Sequence, residues 1–132
     1  MSSQKVRTKL SKKSKYYISD FRRKELKYFC LQYKEWKEYL KDYYLRYGTN
    51  EFSDPTAEEA MLRTIYISNI DLINEISKIA GGEIWEYLFK AVTEDLSFVN
   101  LKTLHNIPCS KDYYYERYHK FWYLLSQKEH AF

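Results

Sequence analysis

Glycine and proline are scarce, with 3 Gly and 2 Pro in 132 residues. That scarcity excludes a strand-and-turn architecture, which needs many turn residues, and points to helices with short connections. Cysteine is nearly absent. Cys30 and Cys109 form no Cys-x-x-Cys pair and stand near no histidine at zinc-ligand spacing. A disulfide framework and a zinc site are therefore not expected, and both residues read as free thiols of a reducing compartment. No apolar run approaches the ~18 residues of a membrane span, and the basic N-terminus lacks the apolar stretch of a secretion signal. The expected location is cytoplasmic, with no membrane partner.

Catalytic patterns are missing as well. His105, His119 and His130 make no His-x-x-x-His or His-Glu-x-x-His pair. Glu116 and His119 are three apart and read as a solvated pair rather than a metal site. Gly81-Gly82 reads as a helix stop, not as a phosphate loop. No Ser or Cys has a base and an orienter in a recognisable motif. The expectation is a chain that is not an enzyme, with no catalytic residue, no metal and no cofactor.

What is present is a hydrophobic fraction of 45%, enough for one domain with its own core, and 15 Tyr. Tyrosine joins a large apolar ring to a polar tip, so it serves half-buried seams and binding surfaces alike. Charge is uneven. Residues 1–50 hold 14 Lys/Arg against 5 Asp/Glu, whereas residues 51–95 hold 3 against 10. The first eighteen residues carry Lys5, Arg7, Lys9, Lys12, Lys13 and Lys15 with no acid. They read as a basic flexible tail over 1–18, ahead of a single helical domain over 19–132. Two uses of such a tail stay open: phosphate contact with counterion release, or solubility alone.

Apolar residues at steps of three and four (Leu26, Phe29, Cys30, Tyr33, Trp36, Leu40, Tyr43, Tyr44, Tyr47) predict one long helix over about 20–46, capped by Ser19-Asp20 and stopped by Gly48. Residues 48–54 read as a loop. Asp54-Pro55 predicts the next helix start, with an apolar face of Leu62, Ile65, Tyr66, Ile70, Ile73, Ile76 and Ile79. A third helix over roughly 83–93 is apolar nearly all round. The fold class is all-α, a bundle of about five helices.

The last of these elements carry the functional reading. Ser97 caps a short helix bearing Phe98, Leu101 and Leu104. Pro108 breaks the chain by disfavouring helical geometry at Ile107. Ser110 caps a second helix, with Cys109 and Tyr114 placed as a hydrophobic staple. Two short helices about a tight turn with an apolar residue in it are the parts of a helix-turn-helix, here about 97–127. Tyr114, Tyr118, Phe121 and Leu125 are spaced to face the core. Lys111, Asp112, Tyr115, His119 and Lys120 are then left on the outer face or its flanks. With Ser110 and Lys102, they form the candidate DNA-contacting set, and Lys9, Lys12, Lys13 and Lys15 form the basic-tail set.

The run Ile107-Pro108-Cys109-Ser110-Lys111-Asp112-Tyr113-Tyr114-Tyr115-Glu116-Arg117-Tyr118, then Lys120-Phe121-Trp122, resembles the C-terminal end of small phage and prophage proteins of Gram-positive bacteria. These are grouped with the RinA-like and ArpU-like regulators of late phage transcription, whose C-terminal part is similar to the helix-turn-helix of sigma-factor region 4. Leu31-Gln32-Tyr33-Lys34-Glu35-Trp36 and Ser53-Asp54-Pro55-Thr56 carry the same resemblance, which spans most of residues 16–128. It implies a double-stranded DNA-binding transcription regulator in the bacterial cytoplasm, acting beside RNA polymerase. Lys102 departs from the small residue usual in the first helix, and Asn106 with Pro108 replaces a lone Gly in the turn. Paired helix-turn-helix units read paired half-sites, so a homodimer is a further expectation. The acidic middle of the chain supports an alternative: a protein-interaction module docking RNA polymerase, a recombinase or a defence nuclease, in the manner of an anti-CRISPR protein.

Overall fold

The structure, a computed structural model, describes residues 10–48 and 54–128. It is an all-α bundle of six helical segments: α1 (Asp20–Leu31), α2 (Tyr33–Tyr47), α3 (Ala57–Gly81), α4 (Trp85–Glu94), α5 (Phe98–His105) and α6 (Lys111–Lys128). A single 3₁₀ turn, Gly82–Ile84, joins α3 to α4. Among the described residues no helix is long and apolar enough to cross a membrane.

The long helix expected over 20–46 is broken at Gln32. The Gln32 amide donates to the Phe29 carbonyl at 3.2 Å, a tightened turn, and its side-chain amide takes the Tyr28 carbonyl at 3.3 Å. One glutamine thus satisfies two groups that a continuous helix would pair along its backbone. The bend brings the rings of Phe29 and Trp36 to 5.1 Å, and Trp36 stacks in turn on Tyr66 of α3 at 6.1 Å.

Helix α3 begins later than Asp54-Pro55 suggests. Thr56 is its cap, with Thr56 Oγ1 accepting from the Glu59 amide (3.1 Å) and Glu59 Oε1 accepting from the Thr56 amide (2.9 Å). Tyr47 Oη also donates to both Glu59 oxygens, at 2.8 and 3.0 Å, which ties the end of α2 to the start of α3. At its far end Gly81 permits a sharp turn, since a Cβ there would lie 2.9 Å from that of Trp85, and Gly82 takes φ +56°. Ile70, Ile73 and Ile76 are buried as expected, but Ile65 and Ile79 of the same predicted face are exposed by 43% and 52%.

The core collects fully buried Leu26, Cys30, Ile73, Leu88, Leu101, Ile107, Phe121 and Leu125. Helix α3 is the most widely packed element, meeting α2, α4 and α6, and α6 packs on α3, α1 and α4. Each large side chain that α6 buries contributes about 1.5–3 kcal/mol relative to exposure.

Residues 10–18, expected as part of the mobile tail, lie against α6. Two short turns, Ser14 N–H to the Ser11 carbonyl (3.0 Å) and Tyr17 N–H to the Ser14 carbonyl (3.1 Å), fold the segment back. Tyr16 packs on Tyr123 at 5.7 Å, and Tyr16, Tyr17 and Ile18 are half-buried. The aromatics overcome the charge here: Lys12, Lys13 and Lys15 stay exposed while the rings of Tyr16 and Tyr17 just beyond them dock. Lys9 lies outside the described residues.

Candidate nucleic-acid interface

Helix α5 starts at a capping box. Ser97 Oγ accepts from the Asn100 amide at 3.1 Å, and Asn100 Oδ1 accepts from the Ser97 amide at 3.3 Å. It ends at Asn106, whose φ of 54° is the left-handed geometry that asparagine tolerates, and the Ile107 amide closes back to the Leu101 carbonyl at 3.1 Å. Ile107 is fully buried beneath the turn. Pro108 and Ser110 are exposed, and Ser110 Oγ accepts from the Tyr113 amide at 3.2 Å to start α6. Phe98 meets Tyr114 at 5.4 Å and Tyr115 at 6.4 Å, so the two helices share one aromatic contact. The helix, turn and helix expected from the sequence are all formed.

The orientation of α6 about its own axis differs from the expectation. Tyr115 and His119, assigned to the outer face, are buried, with exposures of 7% and 8%. The cause is that α6 packs on two sides. Buried Tyr114, Phe121 and Leu125 with half-buried Tyr118 make one stripe, and buried Tyr115, His119 and Trp122 with half-buried Ser126 make a second beside it. The second stripe meets residues 10–23 and α1. Arg22 Nε donates to Ser126 Oγ at 3.2 Å, and His119 and Trp122 line a cleft of about 450 Å³ with Leu10, Lys12, Tyr16, Tyr17 and Arg23. Glu116 and His119 are therefore not the solvated pair expected: Glu116 is exposed and His119 is covered.

The arc left outside holds Asp112 and Glu116, both exposed, and Tyr113, Arg117, Lys120 and Tyr123, half-buried. Lys111 is half-buried, one turn ahead of buried Tyr114 and Tyr115. Tyr113 Oη donates to the Glu83 carboxylate, which pushes the phenol above its usual range. Arg117 Nη2 donates to Tyr113 Oη at 2.9 Å, with the guanidinium 4.8 Å from the ring centre. Sequence reasoning passed over this Tyr113–Arg117–Glu83 cluster. The spacing of four between Tyr113 and Arg117 signals the first contact, but nothing in the sequence signals Glu83.

Lys102 has a structural use. Its Nζ donates to the Ile107 carbonyl at 3.2 Å, capping the turn. Ser110, Lys111 and Asp112 come together at the start of α6. Lys15 lies on the same side, lining a second cleft of about 400 Å³ with Asp112, Tyr115 and Glu116. On α1, Arg23 and Lys24 add positive charge, and Arg23 is 4.0 Å from Asp20.

Neither thiol is activated. Burial pushes Cys30 well above its ordinary value, and it also raises half-buried Cys109, against the lowering effect of Lys102. Among the described residues, no three His, Cys, Asp or Glu side chains converge as a metal site would need. The chain matches no family model, no curated protein and no solved structure.

Proposed function

We propose that the chain binds double-stranded DNA through the α5–α6 unit and regulates transcription. The observation that carries this reading is the pair of capped short-turn helices closed over Ile107, with Ser110, Lys111 and Asp112 at the leading turn of the second helix. In a helix-turn-helix, those are the positions that meet base edges. Lys111 suits a guanine edge or a phosphate, Asp112 accepts from a cytosine amine, and Ser110 suits either strand. Lys120 lies farther along α6 and suits a phosphate. Lys12, Lys13 and Lys15 add sequence-blind phosphate contacts. Buried Tyr115 and His119 and the turn-capping Lys102 are left out of this surface. The resemblance to RinA-like and ArpU-like regulators supplies the regulatory role, with RNA polymerase as neighbour and paired copies on paired half-sites.

The test is fluorescence anisotropy on a duplex from the neighbouring genome and on a scrambled duplex, at several salt concentrations. Lys111→Gln and Lys120→Gln each weaken binding and lower the salt slope by about one unit per lost phosphate contact. The triple change of Lys12, Lys13 and Lys15 to Gln weakens both duplexes equally. Unchanged affinity and slope in the Lys111→Gln/Lys120→Gln double variant refutes the reading.

A further inference from the structure

Helix α3 has two apolar sides. One turns Ile70, Ile73, Ile76 and Ala80 into the core. The other carries Met61, Ile65, Ser68, Leu72, Glu75 and Ile79, an unbroken alternation of four- and three-residue steps. That spacing is the seam of a coiled coil, four of its six positions apolar. Met61, Ile65 and Ile79 are exposed by 61%, 43% and 52%, and Leu72 is half-buried. Along the middle of the seam runs a shallow groove of about 460 Å³ bordered by Thr64, Ile67, Asp71 and Glu75. An apolar stripe of this length on the longest helix is more than scattered surface hydrophobicity.

We infer that this seam receives a helix of another protein, amphipathic and basic along the side that meets Asp71 and Glu75. The charge pattern selects the occupant. Asp71 and Glu75 are exposed, one turn apart, and neither has an ion-pair partner among the described residues. Pairing with a second copy of α3 is disfavoured in both directions. A parallel pair in register sets the two Glu75 carboxylates against each other. An antiparallel pair with Met61 opposite Ile79 sets each Glu75 against Ile65, covering a carboxylate without a counter-charge. Lysine or arginine on an incoming helix answers both carboxylates while its apolar side fills the seam. From Met61 to Ile79 the seam is ~27 Å long at about 1.5 Å per residue, a footprint suited to a transient helix-in-groove contact. It uses no residue of the proposed DNA contact and does not depend on that reading.

Two labelled synthetic three-heptad peptides test the inference against the full chain. Both carry Leu at the seam positions; one has Lys and the other Glu at the flanks. The Lys peptide binds, and the Glu peptide binds about tenfold more weakly or not at all. The Asp71→Lys/Glu75→Lys double variant reverses that preference, and Leu72→Glu abolishes binding of the Lys peptide with the circular dichroism spectrum unchanged. No binding of the Lys peptide, or equal binding of both peptides, overturns the inference. So does a dimer in sedimentation equilibrium that Leu72→Glu dissociates, because the occupant is then a second copy.

Discussion

Glu59 is the most heavily used side chain at the α2–α3 end of the bundle. It accepts from the Thr56 amide, from Tyr47 Oη and from Arg46 Nη1 at 3.3 Å. The backbone bond to Thr56, the Tyr47 hydroxyl and, last, the Arg46 charge hold its carboxyl below the ordinary glutamate range, against the opposing effect of burial. A carboxyl lowered in the folded state stabilises that state fully above its unfolded value, about 4.3. The stabilisation is lost as pH falls through the lower folded value. Thermal melts of the wild type and Glu59→Gln therefore differ at pH 7, with the wild type more stable, and converge as pH is taken well below 4. A gap that is constant with pH contradicts the assignment. The capping box itself was hidden in the sequence behind Asp54-Pro55, a stronger-looking start, because Thr56 and Glu59 reveal their pairing only once the helix direction is fixed.

At the scale of elements, the legible parts were those set by local chemistry. Ser97, Asn106, Pro108 and Ser110 mark the ends of α5 and α6 by capping and turn geometry, and the helices end where those residues stand. The illegible part was rotation about the α6 axis. Tyr113, Tyr114 and Tyr115 are consecutive and chemically identical, so periodicity cannot say which ring faces inward. Packing by residues 10–19 on a second side decides it. The kink at Gln32 was likewise invisible, since a glutamine serves a helix interior as readily as a bend. The element on which the proposed DNA contact depends most is the turn after α5. Ile107→Ala removes a fully buried side chain and is expected to cost about 2–5 kcal/mol, measured by urea unfolding. Under conditions where the variant remains folded, duplex affinity on the proposed reading falls with it, because buried Ile107 fills the turn between α5 and α6. Loss of stability with no loss of affinity separates the turn from DNA binding.

Across the whole molecule, charge is divided by position. Lys12, Lys13, Lys15, Arg23 and Lys24 lie on the segment and helix that pack on α6, whereas residues 51–95 hold 10 of the 18 acids. The all-helical class was readable from the scarcity of Gly and Pro and the spacing of apolar residues, and the basic-then-acidic order from the position of the charges. The docking of residues 10–18 was not, because six cations without an acid outweigh Tyr16, Tyr17 and Ile18 in any charge-based reading. That docking sets Lys15 in one cleft with Asp112 and Glu116 at the start of α6, so the proposed phosphate contacts of the segment and of α6 adjoin. Titration of the isotope-labelled chain with a duplex at low salt, followed by backbone amide shifts, tests this most directly. The account predicts the largest changes at residues 12–15, 110–112 and 120, saturating together at one affinity. Changes confined to the outer side of α3, or saturation of the basic segment with residues 110–112 unmoved, would contradict it.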